Sequence, residues 1–125
     1  MSDLSSSLAQ AAAGMRAQAH RLRLGAENVA NVDTPGYRRK MTDFRLDREG
    51  LVANGPVQLQ QGALPRLHVP SHPMADEQGN IDGSNVDLII EIADTREAQR
   101  SYEANLRLFE QARQMTRGLL EMLRR

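Results

Sequence analysis

Leu8, Met15, Leu22 and Val29 recur every seven residues, and Ala12, Ala19 and Ala26 sit four positions after the first three. A sustained apolar period of seven marks a helix whose stripe faces a partner helix. Three of these seven positions are alanine, which permits close approach but buries little area. At ~25 cal/mol per Å² of apolar surface removed from water, such a helix is weak alone and needs neighbours. Ser2 or Asp3 supplies a cap at its start.

The helix meets a strong breaker at Asn31-Val32-Asp33-Thr34-Pro35-Gly36-Tyr37. Pro35 disfavours helical geometry at Thr34. Pro35-Gly36 suits the centre of a type II turn, where glycine takes the positive φ. The helix is therefore expected to end near Asn31.

A second, longer helix is expected from residue 85 to the end. Ser84-Asn85-Val86-Asp87 has the capping-box pattern, with Ser84 at the cap. Ile90, Ala93, Ala98, Tyr102, Leu106, Phe109, Ala112, Leu119 and Leu123 then follow at helical spacing. Leu108, Met115 and Met122 form a second apolar line, and two lines imply two sets of neighbours. The second set is either other chains or the chain's own middle. Glu103 with Arg107 and Glu121 with Arg125 are favourably ordered pairs. Arg124 and Arg125 oppose the negative end of the helix dipole.

Between the helices, residues 38–84 are rich in Gly, Pro, Gln and Asp. Asp43-Phe44-Arg45-Leu46, Val57-Gln58-Leu59-Gln60 and Leu67-His68-Val69 are strand-like, with Asn54-Gly55-Pro56 as a turn between the first two. The expected architecture is mainly α. Residues 1–37 form a helix and turn, 38–84 a short β-rich or irregular excursion, and 85–125 the second helix. The helices pair as a coiled coil, antiparallel or crossed. With no Trp, two Phe and two Tyr, the chain lacks the aromatic area that usually fills a self-contained core.

Sixteen basic residues balance sixteen acidic ones, without the basic surplus expected of a nucleic-acid protein. All the basic residues but Lys40 are arginine, which pairs bidentately with carboxylates at interfaces; a compositional bias of the genome gives the same count. The absence of Cys excludes disulfides, thiolate chemistry and Cys-based zinc sites, and suits a chain that crosses a membrane unfolded. The start shows no basic segment followed by an apolar one, so no cleavable signal is expected. No run approaches the roughly 20 apolar residues of a membrane span.

No catalytic, metal or cofactor site is expected. His68 and His72 are four apart, but Pro70 and Pro73 break the helix that spacing would need. Asp76, Glu77 and Asp82 lie among turn residues and fit no calcium loop. Ser5, Ser6 and Ser7 lack a glycine elbow, and the glycine-rich stretches lack a phosphate-loop lysine. Arg38-Arg39-Lys40 is either a solvated or carboxylate-paired loop or a contact surface.

The stretch Glu27-Asn28-Val29-Ala30-Asn31-Val32-Asp33-Thr34-Pro35-Gly36-Tyr37 resembles the signature of the axial proteins of the bacterial flagellum, the family of rod, hook and hook-associated proteins. Ser101-Tyr102-Glu103-Ala104-Asn105, with Leu106 to Leu123 after it, resembles the family's C-terminal helix. The short excursion is similar to that of proximal-rod members. Pro73 to Ile81, Asn85-Val86-Asp87 and Arg100 to Asn105 look like one proximal-rod type, which is favoured. The compact Asp33 to Tyr37 and Asp82 to Asp87 are reminiscent of the alternative, the FlgB type.

The resemblance implies a structural subunit, not an enzyme, that polymerises into the rod across the periplasmic space. That rod transmits torque and encloses the export channel. Implied partners are further copies, rod proteins of the FlgB, FlgF, FlgG and FliE types, and the flagellar type III export apparatus, with neither nucleic acid nor small-molecule substrate. The implied export needs no cleaved signal. The expected assembly interface comprises Leu8, Met15, Leu22, Asn28, Val29 and Asn31, the turn residues Thr34, Pro35, Gly36 and Tyr37, and Tyr102, Asn105, Leu106, Phe109, Met115, Leu119 and Leu123. For Asn28 and Asn31 two roles stay open: helix-end residues, or amides that bridge subunits. A non-polymerising helical adaptor or export chaperone would share the helical frame. A peptidoglycan-processing enzyme would need a carboxylate or serine in a cleft, and neither is evident.

Overall fold

A computed structural model describes residues 2–124. Two long helices, α1 (Ser2–Ala30) and α2 (Leu88–Arg124), flank six short strands: β1 (Lys40–Met41), β2 (Phe44–Leu46), β3 (Val52–Asn54), β4 (Gln58–Leu59), β5 (Arg66–His68) and β6 (Asn80–Asp82). The expected Glu121–Arg125 pair falls on Arg125 and lies outside the described residues, as does a cap by the Ser2 side chain.

The helices pair antiparallel. Asn28 meets Glu91, Arg21 meets Glu97 and Gly14 lies under Asn105, so the contact runs along almost all of α1. Among the described residues, five of the seven buried apolar ones are alanines, Ala11, Ala13, Ala17, Ala98 and Ala112; Leu24 and Ile81 complete the set. The seam therefore stays narrow and buries little area. It lies one residue out of phase with the Leu8–Met15–Leu22–Val29 heptad, which flanks it half-exposed. Small residues face α2 because side chains of α2 occupy the space that larger ones would need. A Cβ at Gly14 would meet the Asn105 side-chain nitrogen and oxygen at 2.7 Å, and one at Gly25 would meet the Thr95 hydroxyl at 2.9 Å. Gly14→Leu is expected to destabilise the chain by about 3 kcal/mol through overpacking, more than the gain in helix propensity returns. A denaturant midpoint is the check.

α2 starts at Leu88 rather than 85, and its cap is Asp87 rather than Ser84. The Asp87 carboxylate accepts from Ile89 N at 3.0 Å, and its carbonyl accepts the first helical bond from Glu91 N. Ser84 is not free to cap, because its hydroxyl donates to Val32 O.

The strands form three antiparallel pairs, β1 with β4, β2 with β3 and β5 with β6. Phe44 faces Asn54, Leu46 faces Val52, and Leu67 faces Ile81. The turn expected at Asn54-Gly55 does not join the first two strands. The chain reverses earlier, at Asp47–Gly50, and returns as β3, which packs on α1 through Asn54 Nδ2 to Ala17 O at 3.2 Å.

The β2–β3 and β5–β6 turns share one design. Asp47 Oδ1 accepts from Glu49 N and Leu51 N, and Asp76 Oδ1 accepts from Gln78 N and Asn80 N, all at 2.9 Å. Gly50 and Gly79 close the two turns at φ 79° and 81°, where a side chain would be strained. The Asn80 amide first, then Gln78 and Arg66, hold the Asp76 carboxyl below its ordinary value of 3.8. A lowered folded pKa contributes stability above the unfolded value that is lost as pH falls through the folded one. The β5–β6 turn is expected to loosen only below the ordinary carboxylate range, seen as faster exchange of the Gln78 and Asn80 amides. Asp76→Asn removes that acid step.

Candidate assembly interface

Around Asn28 the two helices and the strand region are tied together. The residue is 1% exposed and every hydrogen-bonding valence of its amide is used within the chain. Nδ2 donates to Lys40 O at 3.0 Å and Glu91 Oε1 at 3.3 Å. Oδ1 accepts from the Tyr37 hydroxyl at 2.8 Å and Lys40 N at 2.9 Å. Burial, with Glu27 and then Glu91 nearby, raises the Tyr37 phenol above its ordinary value, so it stays protonated as a donor. The Asn28 amide does not cap the helix end: its bonds tie α1 to Tyr37, Lys40 and Glu91. Asn31 also works locally: its amide nitrogen reaches Glu27 O at 2.8 Å and its oxygen accepts from Thr34 at 3.0 Å.

Glu91 is the charged member of this node and is likewise 1% exposed. A buried carboxylate is tolerated only when paired and hydrogen-bonded. Arg39 supplies the pairing, with Nε to Glu91 and Nη2 to Asp94 Oδ2 at 2.6 Å. Arg38 donates to the carbonyls of Gln60 and Gly62 at 3.0 and 2.9 Å, and Lys40 pairs with Glu27. The basic cluster thus has partners inside the chain. Asn85 completes the anchorage, taking Arg39 N at 2.6 Å and giving its own amide to Gln60 O at 3.0 Å.

The turn after α1 makes this geometry possible. Tyr37 N bonds Thr34 O at 3.2 Å with Gly36 at φ 76°, the type II arrangement. Gly36 N also bonds Asp82 O at 3.1 Å, fixing the β5–β6 pair beside the turn.

The two sides of the helical pair differ. On one, strand-region residues Met41, Thr42 and Phe44 close a 350 Å³ cleft against Leu24, Asp94 and Glu97. On the other, a 480 Å³ groove is lined by Ala26, Val29, Ile92, Thr95 and Gln99, with nothing from the strand region. The Val29 end of the heptad opens here, Val29 being 39% and Ile92 49% exposed.

The remaining expected interface residues divide as follows. Leu8, Met15, Leu22, Tyr102, Asn105 and Phe109 are half-buried along the helical pair. Leu106, Met115, Leu119 and Leu123 are exposed on α2, as are Leu108 and Met122 of the second apolar line. The strand region does not cover that line. At the start of α2, Leu88, Ile89, Ile90 and Ile92 all face outward while Glu91 faces inward. His68 meets Asn80 at 3.1 Å across the β5–β6 pair, and the His72 ring accepts from Met74 N at 3.0 Å within a turn. Among the described residues, no three metal-ligating side chains converge, and no helix is long and apolar enough to cross a membrane.

The carboxylate-paired reading of Arg39 holds; sequence reasoning missed Glu91 and the close-approach glycines and read Asn85 only within a cap. One signal pointed to Glu91 and Gly14: Gly14, Arg21 and Asn28 share a seven-residue spacing, as do Glu91, Ala98, Asn105 and Ala112.

Known proteins resemble the chain at both ends and across its length. Residues 8–38 match the model of the flagella basal body rod protein family, and residues 77–122 match that of the flagellar basal body rod FlgEFG protein C-terminal region. The chain is 37% identical to the flagellar basal-body rod protein FlgC of Agrobacterium fabrum, over 99% of this chain and 98% of that one. It is 31% identical to FlgC of Salmonella typhimurium over 84% and 87%, and 34% identical to FlgC of Yersinia enterocolitica over 77% and 80%.

Proposed function

The chain belongs to the FlgC family of flagellar basal-body rod proteins, and from that premise we propose how it assembles. It is a structural subunit of the rod in the flagellar basal body, and the FlgB type is not favoured. Assembly runs through the outward faces of α1 and α2. One observation carries this: the buried part of the helical seam is mostly alanine and glycine, with Leu24, so many large apolar residues of the helices, above all on α2, stay exposed. A monomer seldom leaves so much contiguous apolar surface without a partner for it.

On this reading the residues divide by task. The groove at Val29 and Ile92, the half-buried Leu8, Met15 and Leu22, and the exposed Leu106, Met115, Leu119 and Leu123 meet neighbouring subunits. Tyr102 and Phe109 support the seam from within. The turn Thr34 to Tyr37 carries the chain from the helical layer to the outer strands. Neighbours are further copies and rod proteins of the FlgB, FlgF, FlgG and FliE types. The packed helices transmit torque and enclose the export channel. The subunit reaches the periplasmic space through the flagellar type III apparatus without a cleaved signal, and it performs no catalysis.

A strain lacking its own FlgC, supplied with this chain bearing an epitope tag, provides the test. Swimming is expected to return, with the tag present in purified basal bodies. Basal bodies with complete rods but no tag would sink the proposal.

A further inference from the structure

A seam of alanine and glycine is poor at choosing its own register, because small side chains fit opposite many alternatives. Gly14, Arg21 and Asn28 on α1 and Glu91, Ala98, Asn105 and Ala112 on α2 follow a seven-residue spacing, so a slip of one heptad keeps that line of the seam narrow, although it would set Tyr102 or Leu88 in place of Thr95 at Gly25. Polar groups are what distinguish the registers. In the observed one, Asn28 sits at Glu91, Arg21 at Glu97 and Asn105 over Gly14, and the same spacing sets Ser7 level with Ala112, both lining one cleft.

We propose that Asn28, Glu91 and Arg39 form a register lock, acting as positioning residues for assembly. The lock is specific because it is a three-way fit. Glu91 brings a buried charge from α2, Asn28 brings a saturated amide from α1, and Arg39 brings the cation from the segment after the turn. A one-heptad slip toward the end of α1 would place Glu91 opposite Pro35, away from Asn28. A slip the other way would bring Asn28 against Ser84, before the start of α2, and would set Glu91 opposite Arg21, away from Arg39. Either leaves the Asn28 amide and the Lys40 backbone groups unpaired. A buried polar group that fixes register while adding little stability is the best-attested use of such groups.

Register matters here because it sets what protrudes. With Ser7 opposite Ala112, the start of α1 lies level with Arg117, and residues 118–124 of α2 extend beyond it. Leu119, Leu120, Met122 and Leu123 are all exposed on that extension. A one-heptad slip would either hide this segment beside α1 or double its length. The lock therefore fixes the axial position of apolar surface that the proposed assembly uses, and it rests on that reading only for its consequence. The register itself is measurable without any polymer.

Because the chain has no cysteine, engineered pairs report register directly. Ser7→Cys with Ala112→Cys tests the observed register. Ser7→Cys with Leu119→Cys tests the slip that carries Glu91 out of the seam. In the full-length chain under mild oxidation, the first pair is expected to cross-link at least about tenfold more than the second. With Asn28→Leu and Glu91→Leu added, the helices keep an apolar seam and the ratio falls toward one. An unchanged ratio in that variant, or no preference in the parent, overturns the proposal. If the double variant loses its helical circular dichroism, Arg39→Leu is read in the same pairs. It keeps both seam residues and leaves the Glu91 charge unpaired, so cross-linking at Leu119 must rise. Failure to rise overturns the lock. Rod assembly through other faces would leave these results unchanged, so the lock and the assembly reading fail separately.

Discussion

Replacing Arg39 by alanine is expected to destabilise the folded chain by about 3 kcal/mol, the low end for breaking a buried ion pair. Glu91 is 1% exposed, and its partners are Arg39 and the Asn28 amide at 3.3 Å. Without the guanidinium, a carboxylate is left in a nearly water-free site with one neutral donor. The Arg39 side chain keeps 18% of its surface exposed, so water can follow it out and the value stays below the full range. Asp94 loses less, since it is 37% exposed and keeps Arg21 at 3.8 Å. Lysine should recover less than half of the loss, because Arg39 uses two nitrogens in fixed geometry to hold two carboxylates. Adding Glu91→Leu to Arg39→Leu should restore most of the stability, since the desolvation penalty goes with the charge. Urea denaturation of the four chains closes a double-mutant cycle. Independent, additive losses would show that the pair is not coupled and the node is misassigned.

The same node shows where sequence stops informing structure. The end of α1 was legible because it is written locally: Asn31 to Tyr37 holds a proline and a positive-φ glycine, and α1 ends at Ala30 as that predicts. The pairing of two long helices around a strand-bearing excursion was legible for the same reason, from period and punctuation. Which face of α1 meets α2 was not. Pattern reading ranks positions by hydrophobicity, so it selects Leu8, Met15, Leu22 and Val29. The real seam selects for smallness, and Gly14, Ala17 and Gly25 give little hydrophobic contrast. Asn28 sits on that inward phase, yet an asparagine near a helix end looks like a cap unless its tertiary partners are known. Glu91 is a charge inside Leu88-Ile89-Ile90-Glu91-Ile92, and the burial is inverted there: the isoleucines face out. No single-chain periodicity predicts an inversion that needs Arg39, far away in sequence, to make it tolerable. Ser84 was misread because two capping candidates lie three residues apart, and only the Ser84 bond to Val32 decides between them.

The second large effect concerns the open groove. Val29→Lys and Ile92→Glu, made singly, are expected to abolish swimming while changing the stability of the isolated chain by less than about 1 kcal/mol. Each charge is chosen to agree with its own helix. Val29 lies in the last turn of α1, where a cation opposes the negative end of the dipole, and Ile92 lies near the start of α2, where an anion is favoured. Both side chains are already 39% and 49% exposed, so the folded chain has room for a charged head in water. In a polymer that seats an apolar neighbour in the 480 Å³ groove, the same charge would be desolvated, the glutamate less severely than the lysine because Arg96 lines the same groove. Disrupting an anchor at the centre of an interface in this way weakens each junction by about 2–4 kcal/mol. A rod repeats its junctions, so the weakening compounds along the assembly. Swimming halos, counts of rod-bearing basal bodies and denaturation of the purified variants separate the outcomes. Absent rods with an intact fold place the neighbour in this groove. Normal swimming with either charge present would show that the groove faces solvent in the rod, and the assembly face would then have to be sought on the exposed leucines and methionines of α2.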